Sequence, residues 1–155
     1  MIIDRKDAAQ FCRELKKSKK IVFTNGCFDI IHAGHVRYLT AAKNFGDVLI
    51  VGLNTDDSVR KIKGESRPIN NQNDRAEVLL GLKAVDYVIF FGENTAEALI
   101  SEVQPDIYVK GGDYTLETLP EAKIVQSYGG KIELVNLVAG KSTTNVIQKI
   151  LAEKN

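Results

Sequence analysis

A chain of 155 residues is long enough for one domain with a buried core, and its 21 Lys and Arg against 20 Asp and Glu leave a net charge of +1, which argues for neither a nucleic-acid nor a membrane surface. The longest apolar runs, at 48–53 and 85–91, are strand-length and too short to span a bilayer, and residues 1–7 carry charges where a signal peptide needs an apolar core. Two cysteines, Cys12 and Cys27, build no disulfide framework, so the chain reads as soluble, reduced and cytoplasmic.

In chain order, residues 4–18 are predicted as an amphipathic helix with Ala8, Phe11, Cys12 and Leu15 on its apolar face. A strand at 21–24 follows, then a helix over 35–45 with Gly46 as its C-terminal cap, and a strand at 48–53. Residues 56–60 form a short helix, and 61–73, rich in Lys, Gly, Pro and Asn, a loop. Next come a helix over 74–83, a strand at 87–91 and a helix over 95–103 capped by Asn94 or Thr95. A strand at 107–110 runs into Gly111-Gly112, and a helix over 119–128, a strand at 131–135 and a helix over 143–153 complete the pattern. Lys16, Lys17, Lys19 and Lys20 read as a solvated helix end; Tyr87, Phe90 and Phe91 read as core.

Apolar β-branched runs alternating with helical patterns predict an α/β fold. We expect a doubly wound, Rossmann-like, five-stranded parallel sheet with helices on both faces, forming one domain over 1–155 with segment 1–19 packed on it. Such sheets bind ligands beyond the carboxyl ends of their strands, at the switch point. Residues 24–29, 54–56, 110–114 and 140–144 are predicted to converge there.

Residues 26–35 read Gly-Cys-Phe-Asp-Ile-Ile-His-Ala-Gly-His, directly after the first strand. His32 and His35 are the only histidines, and they stand where a helix start points free N–H groups and the positive end of its dipole at an anion. That suits a nucleoside triphosphate and narrows the chemistry to nucleotidyl transfer. A zinc site from Cys27, His32 and His35 is disfavoured, because zinc helices more often space ligands by four and no fourth ligand is obvious. Gly140-Lys141-Ser142-Thr143 imitates the end of a P-loop, but Val135 stands where that pattern needs glycine. Asp29 reads equally as a ligand contact and as a cap ordering the turn; Cys27 reads as a backbone contributor with no sign of a reactive thiol.

Gly26-Cys27-Phe28-Asp29-x-x-His32-x-Gly34-His35, with Ser142-Thr143-Thr144, resembles the cytidylyltransferase-like nucleotidyltransferase superfamily over nearly the whole chain. More narrowly, residues 23–29, Lys63-Gly64-Glu65-x-Arg67-Pro68, Ala84-Val85-Asp86 and Lys110-Gly111-Gly112-Asp113-Tyr114 are similar to the adenylyltransferases that convert D-glycero-β-D-manno-heptose 1-phosphate to ADP-heptose. In many bacteria that activity is fused to a sugar kinase, which has no counterpart in these residues.

The resemblance implies that a sugar phosphate oxygen attacks the α-phosphorus of ATP and pyrophosphate leaves. Mg²⁺ would be held mainly by the phosphates and water, with no protein metal site. His32 and His35 would donate to the α- and β-phosphate oxygens, and Lys63, with Lys61 and Arg67, would close over the triphosphate. Thr24, Asn25, Gly26, Cys27, Phe28 and Gly34 would line the nucleotide, joined by Ser142, Thr143 and Thr144 at the last helix start. Asp29, Asn54, Asp56, Arg75, Lys110, Gly111, Gly112 and Asp113 would face the acceptor; Arg75 reads otherwise as an ordinary exposed helix residue. Members of this family often form homodimers. Glycerol-3-phosphate cytidylyltransferases share the signature but carry arginine where this chain has Leu137, and they differ at the 110–114 segment. An FMN adenylyltransferase has little support. A nucleotide-binding regulator without turnover is the reading from another class, and both intact histidines argue against it.

Overall fold

The computed structural model describes residues 1–137 and 139–154. Its elements are α1 Arg5–Leu15, β1 Ile21–Gly26, α2 Ala33–Lys43, β2 Val48–Asn54, α3 Asp56–Lys63, α4 Gln72–Leu80, β3 Tyr87–Phe91, α5 Glu97–Val103, β4 Ile107–Gly111, α6 Ala122–Ser127, β5 Lys131–Val135 and α7 Thr143–Ala152. The five strands lie in the order β3-β2-β1-β4-β5, every pair parallel. The order reverses at β1, so the crevice between the carboxyl ends of β1 and β4 is the switch point. The predicted α/β, Rossmann-like sheet with helices on both faces is the observed one. Among the described residues no helix is long and apolar enough to cross a membrane.

Alternation along each strand divides the core between two layers. Ile21, Phe23, Ile50 and Tyr108 face α1, α5 and α6; Val22, Leu49, Val51 and Val109 face α2 and α4. β2 is buried along its whole length, as a central strand covered on both faces requires. Ala8 and Cys12 of α1 are fully buried, and Phe11 meets Tyr87 edge-on with ring centroids 4.9 Å apart, so the predicted apolar face is the packed one.

Several boundaries differ from the sequence reading, each for a local reason. α2 begins at Ala33, because the His32 side chain caps it. α3 runs on to Lys63, which makes Lys61 and Lys63 helical and shortens the predicted 61–73 loop. α4 starts at Gln72, with Asn71 accepting from the Asp74 N–H at 3.0 Å. Neither Asn94 nor Thr95 caps α5; its N-cap is Ala96, and Thr95 Oγ1 donates to Glu97 at 2.7 Å. Gly46 is not a left-handed cap, since α2 ends in a right-handed turn at Asn44. Gly46 is needed for close approach instead: a Cβ there would lie 2.8 Å from the Lys20 carbonyl oxygen and 2.7 Å from Val22 Cγ2.

Candidate active site

The first turn of α2 fixes both histidines through backbone bonds. His32 Nδ1 accepts from the Gly34 N–H at 3.1 Å, and His35 Nδ1 accepts from the His32 N–H at 3.2 Å. Each ring thus spends its lone pair on an orphan N–H of the helix start, and the neutral tautomer consistent with that leaves a donor N–H at Nε2. The rings stack with centroids 3.9 Å apart, and Phe28 meets His35 edge-on at 5.4 Å. Phe28 itself sits at φ 45°, a left-handed conformation that costs a bulky residue on the order of 1–2 kcal/mol. Gly34 has no room for a side chain: a Cβ would lie 2.9 Å from the His32 ring and 3.0 Å from Lys141 Cβ.

Both rings are held neutral. Burial, then the neighbouring His32, pushes His35 down to about 4; burial, then Lys141, lowers His32. Depressed histidine values mean that the unfolded chain binds protons first. Stability is therefore full above the ordinary value of about 6.5 and is lost as pH falls from there towards 4. A ring-proton NMR titration should find His35 neutral at pH 6. An ordinary midpoint near 6.5 would contradict the buried arrangement in which Nδ1 accepts from the His32 N–H.

The rings open onto a cleft of about 580 Å³ at the switch point. Asn25, Gly26, Cys27, Phe28, Asp29, Gly34, Asn54, Lys63, Lys110, Gly111, Ser142, Thr143 and Thr144 line it with the histidines, so most of the predicted residues are brought together. Its cationic side chains are Lys63, Arg67, Lys110 and Lys141, and its carboxylates are Asp29 and Glu121. The balance is positive and suits a polyanion. Ser142 caps α7 by accepting from the Asn145 N–H at 3.1 Å, and the Thr143 hydroxyl donates to the Ile30 carbonyl at 3.3 Å, which docks the last helix beside the first.

Thr24, Lys61, Asp56, Arg75, Gly112 and Asp113 do not line the cleft. Thr24 is fully buried, its hydroxyl 2.6 Å from that of Tyr38, which in turn donates to the Val109 carbonyl at 3.1 Å; this ties β1, α2 and β4 together. Arg75 is neither an exposed helix residue nor open to a ligand. Its guanidinium is buried and donates to the Asn70 carbonyl at 3.0 Å, the Cys27 carbonyl at 2.6 Å and Asp56 at 2.8 Å. Asp56 is thereby occupied with Arg75.

Asp29 lines the cleft floor, but its carboxylate is fully engaged: Ile69 N–H at 2.7 Å, Asn70 N–H at 2.9 Å and Arg67 Nε at 2.9 Å. Burial works to raise its pKa, and the Asn70, Ile69 and Arg67 donors outweigh it and hold it below the usual carboxylate value. Its role is to pin the 67–70 segment to the glycine turn. Cys27 spends its carbonyl on Arg75, and burial raises its thiol despite Lys63, Arg75 and Arg67, so it is no nucleophile at neutral pH.

Sequence reasoning gave no site role to Tyr38, Asn94, Thr95, Tyr114, Glu121, Leu137 or Lys141, although Tyr114 and Lys141 lie in segments expected at this edge. Lys141 carried a signal, its place beside Ser142. The others lie on walls that only the fold assembles.

A bound triphosphate would meet ring N–H donors, hydroxyls and cations here. Such a site serves to move a nucleotidyl group between phosphates, and the class it defines is the nucleotidyltransferases.

The chain belongs to the cytidylyltransferase-like family, whose profile matches residues 23–150. It is 54% identical over 138 residues to the bifunctional protein HldE of Geobacter metallireducens and 53% identical over 140 residues to that of Campylobacter concisus. Those alignments cover 89% and 90% of this chain but 28% and 29% of the relatives, so the chain spans under a third of the curated relatives it matches. Among solved structures, the lipopolysaccharide core biosynthesis protein of Thermoplasma volcanium superposes with a TM-score of 0.63 at 31% identity, over 78% of this chain and 98% of that one. The pantoate–β-alanine ligase of Francisella tularensis shares the fold, with a TM-score of 0.62 at 17% identity over 98% of this chain and 79% of that one.

Proposed function

We propose that this domain transfers AMP from ATP to D-glycero-β-D-manno-heptose 1-phosphate, giving ADP-heptose and pyrophosphate. The observation that carries the reading is the pair of stacked, neutral histidines whose free Nε2–H groups open onto a cationic cleft. The similarity to HldE proteins and to a lipopolysaccharide core biosynthesis protein supports the sugar acceptor. So does Leu137, which lines the cleft beside Gly111 where the glycerol-3-phosphate enzymes carry arginine.

In this reading a phosphate oxygen of the sugar, already ionised, attacks the α-phosphorus. The bond to the β-phosphate bridging oxygen breaks, and pyrophosphate carries away the electron pair. Charge grows on the α- and β-phosphate oxygens, and donors fixed before the reaction begins lower its cost most. His32 and His35 are such donors, since backbone bonds hold both rings. Lys63 and Lys141 bring positive charge from two sides of the cleft, and Ser142–Thr144 add hydroxyls.

Mg²⁺ fits as an ion carried by the phosphates. Of the lining carboxylates, Asp29 is spent on three donors and Glu121 is buried in the wall. It would supply charge neutralisation on the triphosphate.

The test is pyrophosphate release with Mg²⁺, crossing ATP, CTP and GTP with both anomers of heptose 1-phosphate and with glycerol 3-phosphate. Release should require ATP and the β-anomer. Release with CTP and glycerol 3-phosphate alone would replace this reading with the glycerol one, and nucleotide binding without release from any acceptor would leave a non-enzymatic binder.

A further inference from the structure

Arg67 lines the cleft with its side chain only 13% exposed, and the protein holds it from one side alone. Its Nε–H donates to Asp29 Oδ2 at 2.9 Å. Neither Nη1 nor Nη2 has a hydrogen-bond partner among the described residues, and neither is shut away from solvent. A guanidinium is planar, so a partner at Nε leaves the outer edge, with both Nη groups, pointing to another side. That edge can grip a phosphate through two parallel bonds.

The hold on Nε is rigid. The Asp29 side chain is fully buried, and the Ile69 and Asn70 N–H groups fix its two oxygens at 2.7 and 2.9 Å. The Asn70 side-chain amide donates back to the Asp29 carbonyl at 3.1 Å, and Arg75 ties the Cys27 and Asn70 carbonyls together. Segment 67–70 and the turn 27–29 are therefore one unit, and Arg67 stands at the cleft before any ligand arrives. Asp29 is otherwise an odd neighbour for a polyanion, since a carboxylate repels phosphate. Turned to backbone amides and paired to Nε, it aims the cation.

We propose that Arg67 is a phosphate-binding residue whose outer guanidinium edge receives a phosphate group in the cleft, and that Asp29 is its positioning residue. This rests on the cleft taking phosphorylated substrates. The triphosphate and the phosphate of the acceptor offer the same chemistry, and the experiment separates them.

The two readings of Asp29 differ in sign. A carboxylate that merely stands beside the phosphates opposes their binding, so Asp29→Asn would tighten it. A carboxylate that aims Arg67 promotes binding, so Asp29→Asn would weaken it.

The experiment is calorimetric titration of ATP with Mg²⁺, of heptose 1-phosphate and of inorganic pyrophosphate. The proteins are the wild type, Arg67→Lys, Asp29→Asn and the double variant, each well below its melting temperature. Lysine keeps the charge but has no fork, so it meets Asp29 or a phosphate and not both. Affinity for at least one ligand should fall roughly 10- to 100-fold in Arg67→Lys, as for a hydrogen bond to a charged group, and by a similar factor in Asp29→Asn. The double variant should be little worse than either, because both changes act on one contact. A loss confined to ATP and pyrophosphate assigns the fork to the triphosphate. A loss confined to heptose 1-phosphate assigns it to the acceptor, and a loss for all three places it between them.

Unchanged affinities in Arg67→Lys would reduce the pair to a strut. Unchanged or tighter binding in Asp29→Asn would make Asp29 a bystander charge, and additive losses would separate the two residues. Each of these overturns the proposal, as does a wild type that binds none of the three ligands. Should Asp29→Asn fail to fold, Asp29→Glu, which keeps the charge and displaces the guanidinium by one methylene, carries the same cycle. Pyrophosphate binding needs neither a sugar acceptor nor turnover, so failure of the fork and failure of the proposed reaction are distinguishable.

Discussion

His35→Ala is expected to lower kcat by about 100-fold or more, with the fold intact. The magnitude is that of losing one preorganised donor to a developing oxyanion, and the geometry gives reason to expect the upper part of it. His35 supplies an Nε2–H, and its Nδ1 also fixes the His32 backbone N–H, while its ring supports the His32 ring at 3.9 Å. Removing it takes away one donor and loosens the other. The stability cost should be about 1 kcal/mol, the usual loss for a helix-start side-chain bond.

His32→Asn separates the two roles. Asparagine is a favourable N-cap and can accept from the Gly34 N–H as His32 does, so its melting temperature should match the wild type while its turnover falls by a similar factor. The measurement is kcat for pyrophosphate release beside a thermal melt. Near-normal turnover in His32→Asn would show that the ring serves the helix and not the phosphates.

The fold was legible because each strand advertises itself. Runs such as residues 48–53 are apolar at every position, which only a strand covered on both faces can use, and the helices between them leave few topologies open. The boundaries that shifted were decided by single hydrogen bonds, such as the His32 cap that starts α2 at Ala33. The histidine side of the cleft was legible for a similar reason. Its residues lie in two short contiguous stretches, 25–35 and 141–144, whose types and spacing speak of anion binding without any tertiary information.

The opposite wall was not legible. Asn94, Thr95 and Glu121 come from connections after β3 and before α6, and nothing local distinguishes Glu121 from any exposed glutamate. Its burial near Tyr108 and Lys110 is created by the sheet order. Arg75 is the instructive misreading. A polar residue amid Asn73, Asp74 and Glu77 suggests solvent, but it donates to two main-chain carbonyls, one of them 48 residues away, and carbonyls leave no trace in a side-chain pattern.

Arg75→Ala therefore yields the second large effect, on stability instead of ligand binding. The substitution leaves the Asn70 and Cys27 carbonyls without their donor, strips Asp56 of its partner and opens a hole where a fully buried side chain stood. Breaking a buried pair costs roughly 3–5 kcal/mol, and the Asp56 side chain, 27% exposed, can recover some hydration, which favours the lower end. For a chain of this size a loss of about 3 kcal/mol corresponds to a fall in melting temperature on the order of 10 °C.

The kinetic signature follows from what Arg75 holds. Cys27 belongs to the turn that carries Phe28 and Asp29, and Asn70 to the segment that Asp29 pins, so kcat and both KM values should worsen together and recover partly on cooling. If Arg75 instead bound the acceptor phosphate directly, the KM for the sugar phosphate would rise alone and the melt would be unchanged. Thermal melts with the two KM values, measured at two temperatures, separate these outcomes. A guanidinium buried from solvent, with each of its three nitrogens donating to a carbonyl or carboxylate of the protein, cannot meet a ligand in the cleft, and that geometry commits Arg75 to the first.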